Sequence, residues 1–447
     1  CWCKGLYPGA NGPGHCRDVS MGKRMRRWFQ AMLAGAADAG ADIHLTINEH
    51  GYGRGDFLDI IANLPRRAHF AAGFSRVPNE PFISRQRKVL IEACREARRG
   101  VFINAETTFG YPLSPLASVP SIYFIFDTIG VAARTGAEAI SVGGLGMNAD
   151  GTPTPESLAI SVALKRPAKN GGELERAAAR LARELVGSRL KDALVSAWRD
   201  VDTALRLWPN RGDFNHVFYA HYSILGDRWL VRPIVPQPEK LTDEEKDYFA
   251  RHRHGSRGGD FENSFFVSES VKNLRADEFK WPLARYEAMM LYMDRAAGTL
   301  HDALHETGDR TDADELKRQY CKIMALRSIW RTQKNVVQCG MVLEWRALDR
   351  RDVFMGDDAA HKRLFLEGFD DEIENMRELI ALLSDSPEKL IRTGPRESSF
   401  DLPHNLPELL EKKIVLMSAH RCDIAVSYTH LRAHETVLDL VCRLLLE

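Results

Sequence analysis

Apolar side chains recur at every third or fourth position from Met25 onward: Met25, Trp28, Phe29, Met32, Leu33 and Ala36 fall on one face of a helix. The period then drops to that of a strand. Ile43 to Ile47, IHLTI, is short, β-branched and bounded by polar residues. The exchange of periods repeats along the chain. Phe57 to Leu64 predicts a helix or turn, His69 to Phe74 a strand, Arg85 to Arg98 a helix and Val101 to Ile103 a strand. Pro120 to Thr135 predicts an apolar helix, and Ala139 to Val142 a strand that ends in Gly143-Gly144. Strands alternating with helices at this spacing imply parallel βαβ units. Four such strands in the first 145 residues fit either a small doubly wound sheet or half of an eight-stranded (β/α) barrel.

Beyond about residue 170 the pattern is helical. Glu173 to Leu185, Leu190 to Leu207, Pro282 to His305, Asp312 to Leu348 and Lys362 to Leu383 are long, charged and amphipathic. The expected fold class is therefore α/β followed by mainly α, with a boundary between residues 1–165 and 166–425. Residues 209–240 form an aromatic and proline-rich crossing, and 251–264 a polar loop whose His252, His254 and Asp260 lack a partner cluster. The last stretch, VSYTHLRAHETVLDLVCRLLLE at 426–447, is similar to the peptide that results when sequencing-adapter DNA is translated. It is set aside, with His430, His434, Glu435 and Cys442, from functional reasoning.

Charge narrows the partners. Lys plus Arg and Asp plus Glu balance at 61 each, so no net field favours a nucleic acid, and no apolar run of about 18 residues predicts a membrane span. The eight cysteines are too sparse for a disulfide framework. Cys1, Cys3, His15 and Cys16 form the one cluster, open to three readings: a zinc site, a local disulfide, or thiols in a turn-rich loop. The Cys1-x-Cys3 spacing is tighter than the two to four residues that usually separate a first zinc pair, so no metal is assigned. Gly143-Gly144-Leu145-Gly146 lacks the G-x-G-x-x-G spacing and ends a strand, so no nucleotide cofactor is assigned either.

The run C-x-C, then Cys16, Ser20, Arg24 and Phe29 on a helix, then IHLTIN, resembles a segment of the alpha-glucuronidase-like and beta-hexosaminidase-like glycoside hydrolases. ELVGSRLKDALVSAWRDVDTALRLWP, residues 184–209, is similar to the helical segment packed after the barrel in such proteins. The resemblance implies a partial (β/α) TIM-type barrel, about strands 5 to 8, with an appended helical domain. It also implies that strands one to four, with a general-acid carboxylate at the fourth, lie upstream of Cys1. On that expectation a leader segment, and with it the localisation, is not legible.

In such barrels the reacting groups sit at the C-terminal ends of strands. Those ends read Asn48-Glu49-His50, Ser75-Arg76, Asn104-Ala105-Glu106 and Gly143-Gly144. Two carboxylates near strand ends suit glycoside hydrolysis, one as acid and the other as base or nucleophile, which makes Glu106 and Glu49 the catalytic candidates. Asn48-Glu49 also resembles the acid/base motif of another large barrel glycosidase group, whose motif belongs to a fourth strand and conflicts with this count. Asn48, His50, Arg54, Arg76, Asn104 and Tyr111 are the substrate-binding candidates: Arg76 offers a fork for an acidic sugar, and Tyr111 with Phe109 a stacking face. Each has a plainer reading, since a Glu after a strand is often a solvated loop residue and an Arg there can brace the rim. A carbohydrate is the expected partner, with self-association expected through the helical region. The alternatives are a non-catalytic carbohydrate-binding protein on a degenerate barrel and a barrel enzyme of unrelated chemistry.

Overall fold

The computed structural model describes residues 20–48, 54–74, 85–105, 116–142, 151–209, 229–237, 240–250, 276–307, 311–347, 358–395 and 401–423. The chain divides into two compact units. One comprises Cys1–Thr107, Phe124–Leu145 and Ser157–Ala177, and the other Thr108–Tyr123, Gly146–Glu156 and Ala178–Glu447.

The first unit is built on alternating helices and strands: α1 (Met21–Asp38), β1 (Leu45–Asn48), α2 (Arg54–Asn63), β2 (Ala68–Phe74), α3 (Arg85–Glu96), β3 (Val101–Ala105), α4 (Ile122–Arg134, from Phe124) and β4 (Ala139–Val142). Ser20 starts α1 as its N-cap, accepting from the Lys23 amide at 3.4 Å, while its hydroxyl donates to Asp59 Oδ1 at 3.2 Å. The Gly22 amide donates to Asp59 Oδ2 at 2.6 Å, so one carboxylate ties the start of α1 to α2.

The strands lie in the order β1-β2-β3-β4, every pair parallel. Sequential order without reversal, joined by right-handed crossovers, puts the intervening helices on one face. The burial pattern agrees. Ile47, Ala68, Val101 and Ile103 share a core with Met25 and Phe29 of α1, Phe57, Ile60 and Ile61 of α2, Leu90, Ile91 and Cys94 of α3, and Ala132 of α4. The alternate strand positions differ in character. Thr46 and Ser141 are exposed, and Phe102 is half-buried. This helix-covered, four-strand arrangement follows the predicted succession of elements, with boundaries shifted by a few residues.

The second unit is helical. α5 (Pro155–Lys165) belongs to the first unit from Ser157 on; the second takes α6 (Gly171–Leu207) from Ala178 onward, then α7 (Asp243–Ala250), α8 (Ala276–Thr307), α9 (Thr311–Ala347), α10 (Asp358–Asp385) and α11 (Leu406–His420). A short parallel pair, β5 (Thr393–Gly394) and β6 (Leu402–Pro403), precedes α11. Sequence periodicity predicts two helices over 173–207, and the stretch is indeed broken in two at Gly187, whose φ of 73° lies where glycine alone is comfortable. Pro155 reads as a loop signal in sequence yet opens α5, because the first helical position needs no amide donor.

Trp198, Trp330, Tyr286, Phe365 and Phe369 fill the core of this unit. The larger departure is α9. Its charged and amide side chains read as solvated faces, but Glu315, Gln319, Lys322, Ser328, Arg331, Thr332, Gln333, Asn335 and Gln338 are buried. Several reach partners on other helices, while Glu315 accepts from Arg318 and Gln319 of α9 itself. Gln319 accepts from the Trp198 indole at 3.0 Å, Gln333 from the Tyr286 hydroxyl at 3.0 Å, and Ser328 donates to Asn375 at 2.9 Å. Arg331 and Lys334 converge on Asp371; burial alone would raise that carboxyl, but these bonds outweigh it and hold it down at about 2. Among the described residues no helix is long and apolar enough to cross a membrane.

Candidate functional site

Two ends of the parallel sheet carry polar groups. At the C-terminal end the strands stop at Asn48, Phe74, Ala105 and Val142. Asn48 is in register with Ala71, and Asn104 with Gly73 on one side and Ser141 on the other. The two asparagines thus occupy the same edge, on strands separated only by β2. At about 4.8 Å per strand, the β1 and β3 backbones lie roughly 10 Å apart.

Asn48 and Asn104 are the predicted site residues whose backbone the sheet brings to one edge; Arg54 is the first residue of α2. Glu49, His50, Arg76, Glu106 and Tyr111 lie outside the described residues, as do the cluster of Cys1, Cys3, His15 and Cys16 and the glycines at 143, 144 and 146.

The N-terminal end holds a group that the sequence reading missed. His69, the second residue of β2, is buried, with Nε2 2.9 Å from His44 Nδ1. Its ring stacks on Phe102 at 4.5 Å between centroids and 8° between planes, and Nδ1 lies 3.8 Å from Glu138 Oε2. Gly100 makes the approach possible: a Cβ there would sit 2.1 Å from His69 Nδ1 and 2.5 Å from Glu138 Oε2. The available signal was a lone histidine in an otherwise apolar strand, which does not reveal its partners.

Burial lowers the His69 pKa most, Glu138 opposes this by raising it, and His44 lowers it further. The sign for folding follows from the lowered value. An imidazole whose folded pKa is depressed contributes stability in full above the unfolded value of about 6.5 and loses it as pH falls toward the folded value. Urea unfolding followed at pH 8 and at pH 5 should therefore show a loss at the acid end that is smaller in a His69→Gln variant. An equal loss in both proteins excludes His69 as its source.

The buried thiols Cys94, Cys321 and Cys339 are unsuited to nucleophilic work. Burial pushes Cys94 up to about 12 and raises Cys321 and Cys339 as well, so each is held as a thiol at neutral pH. Among the described residues, no group of three or more His, Cys, Asp or Glu side chains is placed to hold a metal ion.

No family model matches the chain, and no curated protein does. Among solved structures the chain is similar to a protein described as a GH138 enzyme targeting pectin rhamnogalacturonan II, with a TM-score of 0.58 at 12% identity. The match covers 94% of this chain and 61% of that one, so the chain spans less than two thirds of the enzyme's length. At this identity the likeness shows the fold alone: the chain shares the fold of that protein and is rich in helix.

Proposed function

We propose that the chain is part of a glycoside hydrolase-like protein that cleaves a glycan by carboxylate acid/base chemistry. The carrying observation is the glycoside-hydrolase-like fold over 94% of the chain. The sheet order adds support. Four parallel strands in unbroken sequential order form a sector of the kind that closes into a (β/α) barrel, whereas a doubly wound sheet reverses its order at a switch point. On this reading residues 1–165 supply the partial barrel and 166–425 the helical domain.

Glu106 and Glu49 are the proposed catalytic pair, one protonating the glycosidic oxygen while the other activates water or attacks the anomeric carbon. Asn48, His50, Arg54, Arg76, Asn104 and Tyr111 are the proposed substrate contacts. Arg76 matches the carboxylate of an acidic sugar, and an acidic pectin-type glycan, the material named for the structural neighbour, is accordingly the first substrate to test.

The test is incubation of the protein with pectic oligosaccharides, with mass spectrometry of the products and calorimetry of binding. Release of a sugar unit supports hydrolysis. Binding without release selects the carbohydrate-binding alternative, and neither binding nor release from pectic or neutral glycans removes the proposal.

A further inference from the structure

The last two turns of α8 carry the sequence His301-Asp302-Ala303-Leu304-His305. Residues four apart on a helix lie one above the other on the same face. Here the two rings meet: their centroids are 4.3 Å apart at 70°, and His301 Nε2 is 3.1 Å from His305 Nε2. Both rings are exposed, so an ion can reach them from solvent.

We infer that His301 and His305 form a chelate for a divalent transition cation such as Zn2+ or Cu2+, with water completing the coordination shell. The distance is the main support. Two metal–nitrogen bonds of about 2.0–2.1 Å that subtend 90–110° put their nitrogens roughly 2.9–3.4 Å apart. The observed 3.1 Å falls inside that window, and it is the two Nε2 atoms, the outer ring nitrogens, that converge. The Asp302 carboxylate lies 3.7 Å from His301 Nδ1, beyond hydrogen-bond reach but near enough for its charge to favour a cation at this face.

The helix end adds a third contribution. α8 ends at Thr307, so His305 is in its final turn, where the unpaired carbonyls carry the negative pole of the helix and favour a bound cation. The Arg189 guanidinium donates to the Glu306 carbonyl at 2.7 Å, which holds that turn in helical form. A neutral imidazole pair could also sit at 3.1 Å by sharing one proton. A metal ion displaces that proton, and the two exposed rings turn their lone pairs from each other to the ion.

Imidazole ligands give the order Cu2+ above Ni2+ and Zn2+. The probes are Zn2+ and Cu2+ themselves, titrated by calorimetry into the intact, chelator-treated chain at pH 7.5, with Cu2+ also followed by electron paramagnetic resonance. Wild type should bind Cu2+ more tightly than Zn2+, with a two-nitrogen signature in the Cu2+ spectrum. His305→Ala and His301→Ala should each weaken the tightest site at least tenfold and reduce that signature to one nitrogen. His404→Ala, a histidine of the same unit near Thr393, should leave both readouts unchanged. Both substituted rings are exposed, so loss of folding is not expected, and circular dichroism checks it. An affinity within threefold of wild type in both alanine variants, or no binding to wild type, overturns the proposal.

Discussion

Replacing Lys413 by methionine should lower the stability of the helical unit by about 3–5 kcal/mol, the cost of breaking a buried ion pair by removing one partner. Lys413 of α11 and Glu372 of α10 pair with both side chains fully shielded from solvent. The ammonium also donates to the carbonyls of Trp229 at 3.1 Å and Leu230 at 3.0 Å. Glu372 is held in turn by Thr332 at 2.9 Å and Asn335 at 3.0 Å, both on α9. Three helices and the 229–237 segment thus meet at one charge pair. Burial lowers the Lys413 pKa, and Glu372 only partly offsets this, so the lysine is the strained member. Methionine fills much of the volume but leaves the carboxylate without its countercharge and takes one donor from each carbonyl, of which that of Trp229 keeps the Arg232 amide at 3.2 Å. The midpoint of urea unfolding, read by tryptophan fluorescence, should fall markedly. A Lys413→Met/Glu372→Leu double variant should recover most of the loss, because an apolar pair needs no countercharge. A double variant no better than the single one would place the cost in packing and not in charge.

That network explains where sequence reading stops. Periodicity located α1 to within a few residues and β4 at its bounds. Of the apolar stripe on α1, Met25 and Phe29 are buried, whereas Trp28 and Met32 are exposed, so the spacing marks a helix without fixing which of its apolar residues reach the core. For α9 the same reasoning fails. Its buried polar residues pair with partners far along the chain, Thr332 with Glu372 and Ser328 with Asn375, and nothing local in the sequence marks them as interior. α11 and α5 went unread for a related reason: LPELLEKKIVLMSAH mixes a buried Lys413 into its inner face, and α5 begins at a proline. At the candidate site the succession of strands was legible and fixed which residues leave each strand end. The His44–His69 contact was not, because His44 precedes β1 while His69 lies on β2, and only the parallel register brings them together.

Converting Glu106 to glutamine should reduce turnover of any glycan the protein cleaves by about 10²–10⁴-fold, the usual contribution of a positioned acid or base, with a far smaller change in substrate binding. Glu49→Gln, the other member of the proposed pair, is the companion variant, because an acid and a base that work on one bond each lower turnover when neutralised. Kinetics of the two variants against wild type, with binding measured separately, decide the assignment. A loss confined to KM makes Glu106 a substrate contact, and turnover within twofold of wild type removes it from the chemistry altogether.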